Sequence, residues 1–226
     1  MRNLNESLEA LEHHYLEMLK YVNRNFHTNL AMLEAGEFNG TLYGEAKIVE
    51  DSLNAFDVKI KEDCIITIAR FQPAAKNLRK LVMLINSVRL LERMGDLLKG
   101  NLFIIRDIDN KAPHLKEYLS SIIYPLGKKI NELLDLYIEA YMNSDTKILY
   151  DILYLDEGID EIVSDNFNKF IEIMKASPEN AEGGAFLILL DKKFERLSDH
   201  IIHLVTDLIY ILNGENMRKI ELLSKN

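Results

Sequence analysis

Leu4, Leu8, Leu11, Tyr15, Met18, Val22, Phe26, Leu30 and Leu33 recur at steps of three and four. That spacing draws one apolar stripe along a long amphipathic helix, which Gly36 and Gly40 are predicted to close. A second stripe, Val49, Leu53, Phe56, Ile60 and Cys64, runs toward Gln72-Pro73. Pro73 suits the first turn of a third helix, because its missing N–H is not needed there. That helix continues through Leu78, Leu81, Leu84, Ile85, Val88 and Leu91 to about Arg106. Gly95 and Gly100 weaken it locally, by about 1 kcal/mol each relative to Ala.

Residues 107–113 are polar, lack periodicity and end in Pro113, which predicts a linker. The plan then repeats. A fourth helix is predicted over 115–142, with Pro125 as a kink or a late start, and a fifth over 146–175. Ser177-Pro178 reads as an N-cap followed by proline. A sixth helix covers 181–213, with Gly214 just past its end and a frayed tail beyond. No stretch alternates as a strand would.

A doubled phrase supports the division. Glu92-Arg93-Met94-Gly95-Asp96 returns 103 residues later as Glu195-Arg196-Leu197-Ser198-Asp199. Leu84-Ile85 and Arg89 have matching counterparts in Leu187-Ile188 and Lys192. An internal period of this kind marks a repeated unit. The expected fold is all-α, a tandem repeat of two antiparallel three-helix bundles with six long helices in total. The first bundle is predicted over 1–109 and the second over 110–226.

Composition narrows the function classes. The chain has 226 residues, a net charge of −9 and no basic cluster along the sequence, so a nucleic-acid backbone would be repelled. Only 10 Gly and 4 Pro interrupt it, which suits long helices. The lone Cys64 continues an apolar stripe and is expected in the core. With no second cysteine it cannot form an intramolecular disulfide, which fits a reducing compartment. The first 20 residues read as a charged helix rather than a signal peptide. The longest apolar run, 185–190, is far short of a membrane span. These features predict a cytoplasmic protein, free to dock on a membrane complex.

The candidate chemistry is acidic. Glu92 and Asp96, and again Glu195 and Asp199, stand four residues apart, on one helix face. Asp156 and Asp160 form a like pair on the fifth helix, with Glu157 alongside. The matching place in the first unit is Glu50 to Asn54, where Asn54 stands for Asp160. Antiparallel helices could bring these pairs together, and converging carboxylates call for protons or cations. Hard oxygen donors favour Mg²⁺, Mn²⁺, iron or Ca²⁺. His203 lies one turn beyond Asp199 and could add an imidazole ligand; Asp207 drifts off that face. The competing reading is a set of solvated helix faces, with Arg93 and Arg196 salt-bridging neighbouring acids. No Glu-x-x-His, P-loop, nucleophile elbow or Cys pair is present, so no enzyme chemistry is expected.

At these residues the chain resembles the PhoU family, regulators of bacterial phosphate uptake and phosphate signalling. The resemblance rests on Gln72-Pro73-Ala74-Ala75-Lys76-Asn77-Leu78-Arg79, on Glu92 to Asp96, on Glu195 to His200, and on the closing stretch Val205 to Glu215. It implies metal clusters, most often iron or zinc, with Mg or Mn as alternatives. The ligands it implies are Glu50, Glu92 and Asp96 at one site, and Asp156, Asp160, Glu195 and Asp199 at the other. It also implies a metal-binding adaptor between the phosphate ABC transporter ATPase and a sensor histidine kinase. Such an adaptor represses phosphate-starvation signalling; a homodimer is expected. Asn54, Asn77, Leu97 and Gly100 depart from the family pattern, so the second unit is expected to hold metal more tightly. The alternative functional reading is a carboxylate-cluster metal enzyme or a metal-storage bundle; a blander one is a plain helical scaffold.

Overall fold

Polar caps set the helix ends. Asn3 opens the first helix in a capping box with Glu6, and Gly36, in the left-handed region at φ 67°, closes it. Asn39 accepts hydrogen bonds from the backbone of Thr41 and Leu42 to start the second, and Asp145 does the same for Lys147 and Ile148 at the fifth. In the computed structural model, which describes residues 3–214, these signals produce six long helices and no strand. They are α1 (Leu4–Ala35), α2 (Gly40–Phe71), α3 (Ala75–Lys111), α4 (Tyr124–Asn143), α5 (Thr146–Ala176) and α6 (Ala181–Asn213). Glu215 and the predicted tail lie outside the described residues.

The architecture is two antiparallel three-helix bundles, α1–α3 and α4–α6, joined along α3 against α6 and α1 against α4. The helices α2 and α5 are the outer members. The stripes do what their spacing requires: Leu11, Tyr15, Met18, Val22, Phe26 and Leu33 of α1 are buried, as are Val49, Leu53, Ile60 and Cys64 of α2. The bundles share a polar tie inside this core, where the hydroxyls of Tyr15 on α1 and Tyr137 on α4 meet at 2.7 Å.

Three local expectations change. Gly40 begins α2 rather than closing α1, because Asn39 caps the new helix. The predicted linker 107–113 is mostly helix: α3 runs to Lys111, since Ile108 and Ala112 prolong the buried stripe of Ile104 and Ile105. The fourth helix starts late, at Tyr124. A 3₁₀ turn, Pro113–Leu115, and a wide π turn, Leu119–Ile123, precede it. Pro125 cannot donate to Ser121, so the chain passes through the wider turn, with Tyr124 N–H reaching back to Leu119. At the sixth helix Ser177 caps a 3₁₀ turn, Pro178–Asn180, and α6 follows directly.

Candidate functional site

The close approach of α2 and α3 gathers the first acidic set. Gly95 makes this approach possible: a Cβ there would lie 2.6 Å from Leu53 Cδ1. Glu50 is 5% exposed and is matched on both carboxylate oxygens. The amide of Asn54 donates to Oε1 at 2.9 Å, and Lys99 Nζ donates to Oε2 at 2.8 Å. Burial alone would raise the Glu50 pKa, but these hydrogen bonds outweigh it and hold the carboxyl below its ordinary range. Asp57, not singled out by the sequence pattern, completes the group with its own cation, Lys61 at 2.6 Å. Glu92 is pushed upward by burial first and then by Asp96 and Asp57. Glu50, Glu92 and Asp96 therefore do share one face, already supplied with two ammonium groups.

The second set forms between α5 and α6 and is arranged differently. Ser198, the repeat counterpart of Gly95, donates to Asp156 Oδ1 at 2.5 Å. Burial raises the Asp156 pKa, and Asp160 and Asp199 raise it further against the Ser198 hydrogen bond. Burial likewise raises Asp199, with Glu195 and Asp160 adding to it, while His203 and Arg196 oppose. Glu195 pairs with Lys192 at 2.5 Å. The places of Lys99 and Lys61 are taken here by Ile202 and Phe167, so no lysine covers the Asp156–Asp160–Asp199 face from those positions.

Two further residues extend this face inward. Asp191 is 1% exposed and accepts a hydrogen bond from the buried Asn166 amide at 2.9 Å. Burial pushes its carboxyl up to about 6. Asp191 sits one turn before Glu195, a spacing that could have marked it in the sequence.

The donors of the second set are hard oxygens, with His203 exposed one turn beyond Asp199, and a cation would relieve their mutual repulsion. Among the described residues, however, no three His, Cys, Asp or Glu side chains are gathered closely enough to enclose an ion. In donor chemistry the second set suits a metal open to water on its outer side. The first is already partly neutralised, by Lys99 and Lys61.

Between the two sets lies the α3–α6 seam. Arg93, Asp96, Leu97, Arg196 and His200 line a cleft along it. Arg93 and Arg196 are repeat counterparts, as are Leu97 and His200. Neither arginine forms an ion pair among the described residues, against the expectation that they salt-bridge neighbouring acids. Burial first, and then His203, Arg196 and Arg93, together lower the His200 pKa to about 4.

The PhoU domain family matches this chain twice, over residues 15–100 and 123–208. A phosphate-specific transport system accessory protein PhoU homolog from Borreliella burgdorferi is 27% identical, covering 96% of this chain and 97% of its own. The corresponding homolog from Pseudomonas aeruginosa is 22% identical over 98% of this chain and 90% of its own. In fold, the crystal structure of PhoU from Pseudomonas aeruginosa superposes with a TM-score of 0.85 at 21% identity, over 94% of this chain and 100% of that one. The regulatory PhoU of Streptococcus pneumoniae gives 0.83 at 22% identity, over 94% and 98%. With both bundles matched and each carrying its E-R-x-x-D phrase on the third helix, the chain belongs to the PhoU family.

Proposed function

We propose that this chain is a regulator of phosphate uptake that acts by contact rather than catalysis. In this reading it links the phosphate ABC transporter ATPase to a sensor histidine kinase and restrains phosphate-starvation signalling. The observation that carries the reading is family membership across both repeats, among relatives named as accessory proteins of phosphate-specific transport. None of the described helices is long and apolar enough to cross a membrane, so contact with a transporter would be made from its surface. The outer helices are suited to such contact. Ile48, Val58, Ile65 and Ile66 of α2, and Tyr154 and Leu155 of α5, are exposed and offer apolar side chains to a partner. A homodimer and a cytoplasmic location belong to the same proposal.

The metal belongs to it as well, at the second repeat. Asp156, Asp160, Glu195 and Asp199 would hold a divalent or trivalent cation, iron or zinc first and Mg²⁺ or Mn²⁺ otherwise, which would neutralise the α5–α6 face. Glu50, Glu92 and Asp96 would compete for a cation only after displacing Lys99. No observation favours the enzyme or storage alternative.

Two measurements test this. Elemental analysis of tag-free protein should find metal that is lost in Asp199→Ala and kept in Asp96→Ala; equal loss in both would count against the assignment. Affinity capture of the tagged chain should retain the transporter ATPase or the kinase. Failure to bind either, with helical content intact, would sink the adaptor role.

A further inference from the structure

The fold assembles a cationic cleft that the sequence does not show as a cluster. Arg93 comes from α3 and Arg196 from α6, and both line one cleft on the seam between the repeats. Lys193 joins them from α6. Its ammonium reaches across to α3 at Gly100, 2.6 Å from where a Cβ would stand, so a side chain there would make the flexible lysine head shift. Lys193 feels both Arg196 and Asp96 of the cleft, and its half-burial lowers its pKa. None of the three cations forms an ion pair among the described residues, in a chain whose net charge is −9. Like charges held together on an acidic protein, without internal partners, repel one another unless an anion joins them.

The remaining lining selects among anions. Two guanidiniums offer planar forks suited to a tetrahedral oxyanion. One carboxylate, Asp96, faces the same cleft. Two lining guanidiniums face that one carboxylate, and Lys193 stands close enough to feel Arg196 and Asp96, a surplus of positive charge suited to an anion. A carboxylate accepts hydrogen bonds and donates none. It therefore welcomes an oxyanion that carries a hydroxyl and repels one that carries none. The Nδ1 atom of His200 is buried and has no protein partner, a further polar atom at the same wall.

We propose that the α3–α6 cleft binds a protonated tetrahedral oxyanion of the hydrogen phosphate class, held by Arg93 and Arg196 with Lys193, and that Asp96 discriminates against sulfate. The choice of phosphate as ligand rests on the functional reading above. The site itself is independent of the metal assignment.

The test is calorimetric titration of the full-length chain with inorganic phosphate, in the presence of a chelator so that no bound metal can recruit the anion. Saturable binding of one phosphate per chain is expected. Arg93→Gln and Arg196→Gln should each weaken it by about tenfold or more, the scale of a lost charge-assisted pair. Both positions are exposed, and circular dichroism verifies that each variant keeps its helices. Sulfate should bind more weakly than phosphate to the wild type, and Asp96→Asn should narrow that gap. No saturable binding, or binding that ignores both arginine substitutions, overturns the site; equal affinity for sulfate overturns the role of Asp96. Binding seen only without chelator assigns the anion to a metal and overturns the proposal too. Partner capture separates the two readings. Loss of phosphate binding with partner binding intact defeats this site alone, and the reverse defeats the adaptor reading alone.

Discussion

Lys99 sets its ammonium 2.8 Å from Glu50 Oε2, while the residue at the matching place of the second repeat, Ile202, carries no charge. Glu50 thus carries its own cation, while its counterpart Asp156 is met by the Ser198 hydroxyl instead. Replacing Lys99 with Met leaves Glu50 buried without its charged partner, and a stability loss of about 1–3 kcal/mol is expected. Chemical denaturation measures it. In an Asp199→Ala background, Mn²⁺ should raise the melting temperature of Lys99→Met and leave that of the parent unchanged. The same response in both would mean that Lys99 does not guard this face.

Asp191 predicts a pH dependence. Its carboxyl is raised to about 6 by burial, above the value of an unfolded aspartate. The protonated form is favoured in the fold, so this contribution to stability is complete below about pH 4 and is lost as pH rises through about 6. Asp191→Asn keeps an acceptor oxygen for the Asn166 amide and removes the titration. With chelator present, it should gain stability over the wild type above pH 6, by no more than about 3 kcal/mol, and converge with it toward pH 4. A difference that stays constant across that range would refute the assignment.

Asn101 is fully buried on α3, and neither of its amide atoms finds a protein partner. Its counterpart on α6 is Leu204, also fully buried. Desolvating an unpaired amide costs about 1–3 kcal/mol, and leucine has the same branched skeleton, though it is bulkier. Asn101→Leu should therefore stabilise the protein by an amount on that scale, read as a higher denaturation midpoint with an unchanged slope. A lower midpoint would show that the amide is satisfied in solution.

Cys64 lies fully buried on α2, and burial pushes its thiol up to about 12. Only the thiolate reacts readily. The native protein should resist a disulfide reagent at neutral pH, and its labelling rate should follow global unfolding as denaturant is added. Fast labelling without denaturant would place local opening in the C-terminal third of α2.

Much of the fold was legible because each stripe of α1 and α6 has one face to bury, and Asn3, Gly36, Ser177 and Gly214 punctuate their ends. The 107–113 segment misled because Asp107, Asp109 and Asn110 outnumber the two residues that continue the buried stripe, Ile108 and Ala112. The acidic pairs showed themselves as same-helix neighbours. The residues that decide their chemistry did not: Lys99 reaches Glu50 from another helix, and Ser198 reaches Asp156 likewise. The spacing of Arg93 and Arg196 is likewise silent about their facing each other, since that depends on how α3 crosses α6.

The contact of Tyr15 with Tyr137 bears on how the molecule can move. Pulling α1 from α4 would break this hydroxyl pair between two fully buried side chains. Neither half can be displaced cheaply on its own. The tyrosine pair therefore couples the two bundles: separating them costs the hydroxyl contact as well as the apolar burial around it.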